Sequence, residues 1–155
     1  MSKEIVFKVT EGVSNVLTLF AGEVFKPCIL IAPAMGVPAR TYLALAAELQ
    51  SLGYSAATFD MRGIGRSSIR ASRDNDFGYF DMVAEDFPAA VKTLESELPN
   101  RQLVLFGHSL GGQLSCLYLS QNPDAAKALI LSASCSVHHK AGAFRITCLF
   151  YFLAN

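Results

Sequence analysis

Hydrophobic and polar positions follow two different patterns along this chain. Glu4–Thr10 and Asn15–Ala21 are short β-rich runs separated by Glu11-Gly12, which predicts an antiparallel hairpin. From Cys28 onward, short runs of buried-strand type alternate with stretches of helical period. The runs are Cys28–Ala32 (CILIA), Ser55–Phe59, Gln102–Phe106 and Ala128–Leu131. After the first, Tyr42, Leu45, Leu49 and Leu52 recur at helical spacing, and Gly53 stops that helix. A second helix carries Phe87, Val91, Leu94 and Leu98 on one face, with Pro88 marking its first turn or a kink. A third runs from about Leu110 to Ser120, with Leu110, Leu114 and Leu117 on one side, and ends at Asn122-Pro123.

Buried runs alternating with amphipathic helices specify βαβ units. The fold class is α/β: a mostly parallel sheet with helices on both faces and an antiparallel hairpin at the N-terminus. In such a sheet, ligand chemistry gathers at the carboxyl ends of the strands. Three of the predicted strands end there in unusual turns: PAMG after the first, DMRGIGRSS after the second and GHSLGG after the third.

Charge and composition remove several function classes. Thirteen basic residues balance thirteen acidic ones, and no basic stripe is present to hold nucleic acid. The cysteines (Cys28, Cys116, Cys135, Cys148) make no C-x-x-C pair, so no metal or cofactor is expected. Reduced, mostly buried thiols in a cytoplasmic protein are the expectation. The N-terminus MSKEIVFKVTEG lacks the apolar core of a signal peptide. The apolar stretch Ala141–Ala154 is interrupted by Arg145 and is too short to span a bilayer.

Gly107-His108-Ser109-Leu110-Gly111 fits G-x-S-x-G between a predicted strand and a predicted helix. A serine at such a turn sits in a strained backbone with its hydroxyl exposed at the top of the sheet. Small residues at Gly107 and Gly111 relieve the crowding, and Gly112 adds room. Ser109 is the candidate nucleophile, beside the positive end of the following helix. The backbone N–H of Leu110 is aimed to stabilise an oxyanion. The turn DMRGIGRSS lacks the rest of a dinucleotide-binding fingerprint. Asp60 and Arg62 are expected to brace it as a wall near the serine.

The segments IAPAMGVPARTY, FDMRGIGRSS and GHSLGG, in this order, resemble the N-terminal half of the α/β-hydrolases, nearest the serine-aminopeptidase and lysophospholipase-like branch. The resemblance covers roughly residues 3 to 134. It implies hydrolysis of acyl esters, thioesters or small amides through an acyl-enzyme on Ser109, with a small acyl molecule as substrate. Counted back from Tyr42, it assigns the second oxyanion N–H to Met35, with Gly36 as the alternative. Pro33-Ala34 stands where the family usually has His-Gly.

That fold orders its triad as serine, then acid, then histidine. After Ser109 the chain offers Asp124, beside the Pro123 turn at the opposite end of the strand, and the histidines His138 and His139 beyond the fourth run. His108 is expected to pack away from the hydroxyl. The resemblance places two further strands after these, which do not follow here. Residues 1–134 therefore read as the N-terminal part of a hydrolase core and residues 135–155 as the start of a lid. The expectation is a truncated product or fragment, impaired in catalysis. Two other functions fit the same scaffold: a non-catalytic ligand-binding or interaction module, and acyl transfer.

Overall fold

The computed structural model describes residues 1–134. The expected lid segment, with His138 and His139, lies outside the described residues. Strands β1 (Ser2–Thr10) and β2 (Val13–Phe20) form the antiparallel hairpin, pairing Ser2 with Phe20 and Lys8 with Ser14. Gly12 supplies the left-handed turn residue at φ 76°.

The parallel strands are β3 (Cys28–Ala32), β4 (Ser55–Phe59), β5 (Leu103–His108) and β6 (Ala128–Ser132). The sheet order is β1-β2-β4-β3-β5-β6, with β2 antiparallel to β4. Every residue of β3 and β4 is buried, as strands covered on both faces require.

This order positions the candidate site. From β3 the chain crosses to β4 on one side, then returns to lay β5 on the other. At such a reversal the connections leaving β3 and β5 diverge and open a crevice at their carboxyl ends. The PAMG and GHSLGG turns stand at those carboxyl ends.

A 3₁₀ turn, Ala39–Tyr42, leads into α1 (Leu43–Ser51) on one face of the sheet. There Tyr42 and Ala46 pack on Ile29, Ile31 and Ala56. On the other face lie α3 (Phe87–Glu97) and α4 (Leu110–Gln121). Phe87 packs edge-on against Phe59 at 5.4 Å and also meets Tyr118 at 5.4 Å, so one ring joins α3, β4 and α4. Pro88 falls in the first turn of α3, where its missing N–H costs nothing. The helical path starts earlier, with the single turn α2 (Tyr79–Asp81) and a π-helical turn, Met82–Asp86.

Two predicted stripes are corrected. From the 3₁₀ turn into α1 the inward line is Tyr42 and Ala46, both buried, and the partly buried Leu49, while Leu45 and Leu52 are exposed. Those leucines stand about 60–80° round the helix from that line. In α4, Leu110, Leu114 and Tyr118 are buried and Leu117 is half exposed.

Candidate active site

Strand β5 ends at His108, α4 begins at Leu110, and Ser109 alone makes the turn between them. Its backbone lies at φ 51°, ψ −118°, a region that residues with a Cβ rarely occupy. The surroundings impose that conformation. The Ser109 N–H donates to Ser132 O at 2.9 Å, and the Ser109 carbonyl accepts from Gly112 N–H at 3.0 Å and Gln113 N–H at 3.3 Å. The hydroxyl of Ser134 stands 2.9 Å from the same carbonyl.

The glycines serve close approach. A Cβ on Gly107 would strike the backbone of Gly112, and one on Gly111 would strike the carbonyls of Ala32 and Pro33. The absent side chain at 111 thus lets the start of α4 lie directly on the end of β3. Hence the elbow and the loop after β3 are immediate neighbours.

That loop turns at Ala34–Val37, with Val37 N–H donating to Ala34 O at 3.1 Å and Gly36 at φ 71°. The Met35 side chain is largely exposed, and its sulfur accepts from the Tyr79 hydroxyl at 3.8 Å. The buried Tyr42 hydroxyl accepts from Ala34 N–H at 2.9 Å and lies 2.8 Å from His108 Nδ1. The His108 ring is therefore engaged with Tyr42, edge to face at 5.9 Å.

Asp60, at the end of β4, is buried, and its carboxylate accepts from Ala39 N–H at 2.8 Å and Arg66 N–H at 3.1 Å. It pins the far end of the loop after β3 to the glycine-rich turn. Gly65 is required in that turn, since a Cβ there would collide with the Asp60 carboxylate. Arg62 braces the same turn through a different partner. It turns to the π-helical segment, donating from its backbone N–H and Nε to the two oxygens of Asp86, each at 2.9 Å, and from Nη2 to Glu85.

Asp86 is wholly buried. Burial pushes its carboxyl above the ordinary carboxylate range, against the bonds from Arg62 that hold it down. Sequence periodicity missed this residue, because an acid beside Phe87 reads as the polar flank of an amphipathic helix. The available signal was the pairing of an arginine in a tight turn with an acid on an otherwise apolar face.

Asp124 precedes the amino end of β6, whereas Ser109 lies beyond the carboxyl end of β5, so the sheet separates them. Among the described residues, no three His, Cys, Asp or Glu side chains are grouped as a metal ion would require. No helix among them is long and apolar enough to cross a membrane.

The family described as "Serine aminopeptidase, S33" matches residues 24–152. The chain belongs to this hydrolase family. It is 32% identical over 106 residues to the monoglyceride lipase homolog of Monkeypox virus, covering 68% of this chain and 37% of that protein. It is 33% identical over 95 residues to lysophospholipase L2 of Escherichia coli K12, covering 59% of this chain and 28% of that protein. The chain thus spans less than two fifths of the length of either relative. The thioesterase domain from the curacin biosynthetic pathway superposes with a TM-score of 0.73 at 23% identity, covering 91% of this chain and 49% of that one. That likeness establishes the α/β-hydrolase fold.

Proposed function

We propose that Ser109 is the nucleophile of a serine hydrolase acting on acyl esters, thioesters or small amides. The observation that carries this reading is the strained backbone of Ser109 at the β5–α4 junction, flanked by glycines that no other residue can replace without collision. Strain of about 1–3 kcal/mol persists only where the surrounding structure over-determines it, and such positions cluster at functional sites.

In this reading the Ser109 hydroxyl attacks the acyl carbonyl and its proton passes to a general base. The tetrahedral oxyanion is received by the N–H groups of Leu110 and Met35. Collapse expels the alcohol, thiol or amine, and water then hydrolyses the acyl-enzyme. The family resemblance assigns the second donor to Met35, with Gly36 as the alternative. A planar trans peptide points N–H opposite to C=O, and the Ala34 carbonyl is held by Val37, so the Met35 N–H direction is set. The Gly36 N–H belongs to the central peptide of the turn. The names of the lipase and lysophospholipase relatives favour a lipid-like acyl substrate.

The described residues supply no base for this serine. His108 is their only histidine, and its Nδ1 is engaged by Tyr42. The base and its acid partner then come from outside residues 1–134, which form the core, and residues 135–155 begin the lid. A chain lacking an acid–histidine pair would acylate slowly and deacylate more slowly still. A ligand-binding module on the same scaffold is the second reading, favoured by that missing base. The two described thiols, Cys28 and Cys116, are unpaired, which accords with a cytoplasmic setting.

A fluorophosphonate probe tests the assignment. Covalent labelling of the chain that disappears in Ser109→Ala is expected. Equal labelling of Ser109→Ala would overturn it, and tight binding of fatty acid without labelling would favour the second reading.

A further inference from the structure

We propose that Tyr42 is a positioning residue whose hydroxyl sets the loop after β3 against the nucleophile turn. This rests on the roles given above to Ser109 and Met35. The phenolic oxygen bridges the two segments that leave the paired ends of β3 and β5. One partner is Ala34 N–H, the amide just before Met35; the other is His108 Nδ1, on the residue just before Ser109. Ladder pairing between β3 and β5 ends at Ala32 and Gly107, so beyond that point the Tyr42 hydroxyl ties the two segments where the ladder no longer does.

The strut is stiff. The Tyr42 ring is buried and packed with Ile29, Ile31, Ala46 and Ala56, which fixes its tip relative to the sheet. A phenol has the capacity to accept one hydrogen bond while engaging an imidazole nitrogen with its own proton or second lone pair. Asp60 holds the other end of the same loop at Ala39. Between those two anchors lies the turn that carries Met35 and Gly36. With Tyr42 holding Ala34 N–H and Val37 holding Ala34 O, the peptide planes before and after Ala34 are both fixed, and the Met35 N–H is directed accordingly. Loss of the hydroxyl frees the loop at its catalytic end while leaving the ring in the core.

The test uses the 155-residue chain and its Tyr42→Phe, His108→Asn, His108→Leu and Ser109→Ala variants. Three quantities are read: the second-order rate of fluorophosphonate labelling, the thermal midpoint, and the amide resonances of Ala34, Met35 and Gly36. Tyr42→Phe is expected to remain folded and to label roughly ten- to a hundredfold more slowly, the loss that a misplaced donor causes. His108→Asn, whose Oδ1 takes the place of Nδ1, should label faster than His108→Leu; a purely structural role for the histidine would not separate them. Labelling of Tyr42→Phe at the wild-type rate would overturn the proposal. If the wild-type chain does not label, the nucleophile assignment falls, and the amide resonances then decide about Tyr42. Displaced Met35 and Gly36 resonances in Tyr42→Phe support the strut; resonances at their wild-type positions overturn it.

Discussion

The two oxygens of Asp86 accept from the backbone N–H and the Nε of Arg62, each at 2.9 Å, with the carboxylate fully buried and the guanidinium nearly so. This pair fastens the glycine-rich turn after β4 to the helix that crosses the sheet. Removing one member leaves the other as a buried charge, which generally costs about 3–5 kcal/mol. Asp86→Ala should fall near the lower end, because Glu85 still reaches Arg62. The double variant Arg62→Met with Asp86→Leu should be more stable than Asp86→Ala alone. Urea denaturation measures both; a loss under about 1 kcal/mol for Asp86→Ala would contradict a fastening role.

Ser109 adopts a backbone conformation suited to glycine. Ser109→Gly is therefore expected to raise stability by about 1 kcal/mol, as relief of strain outweighs the added chain entropy. Ser109→Ala, which keeps its Cβ, should change stability little. Thermal melts of the three proteins give the comparison. A Ser109→Gly variant less stable than Ser109→Ala would mean the turn is unstrained.

Gly111 and Gly36 differ in why they are glycines. Gly111 is needed for space, since its Cβ would meet the Ala32 and Pro33 carbonyls. Gly36 has open space around it but sits at φ 71°. Gly36→Ala should then cost only about 1–2 kcal/mol of backbone strain, whereas Gly111→Ala must push α4 off the end of β3 and should cost more. Gly111→Ala should also slow fluorophosphonate labelling, because it separates the two proposed oxyanion donors, Leu110 and Met35. Equal stabilities for the two variants would count against the close approach.

Burial pushes the Cys28 thiol up to about 12, far above the value of about 8.5 for a thiol in an unfolded chain. The folded state therefore holds a proton that the unfolded state releases in alkali. Stability is fully present below about pH 8.5 and falls as pH rises toward 12, with a slope of up to about 1.4 kcal/mol per pH unit from this group. Cys28→Ala should remove that part of the alkaline slope. Iodoacetamide at neutral pH should modify the exposed Cys116 first and reach Cys28 only on unfolding.

The sheet was readable because CILIA and LVLF are apolar without interruption and SAATF carries only the small polar residues Ser55 and Thr58, as strands buried on both sides allow. The elbow was readable because Gly107, Gly111 and Gly112 bracket a serine between a predicted strand and a predicted helix. The helix faces were read less well. Leu45, Leu52 and Leu117 are leucines at plausible intervals, yet α1 and α4 bury narrow arcs built partly from alanine and glycine, which hydrophobicity ranks low. The part played by Tyr42 was not visible either: in the sequence it is one more apolar residue in a stripe, and only folding brings His108 and Ala34 to its tip. Asp60 and Arg62 were expected to brace the turn after β4; the partner through which Arg62 does so, Asp86, stands 24 residues away and had no local signal.

The wide turn at Met82–Asp86 has a consequence for how this chain tolerates change. Closing a ring from Phe87 N–H to the Met82 carbonyl, it accommodates one residue more than a regular helix would. Deleting one residue there would restore ordinary winding and leave the residues upstream on nearly their present side of Phe87, because the wide turn takes up its extra residue in the place of a regular one. Winding the same residues as regular helix would instead swing the upstream turn by about 100°. Met82 and Phe87, at either end of the wide turn, both face the core, so a one-residue deletion is the change of length this segment absorbs most readily.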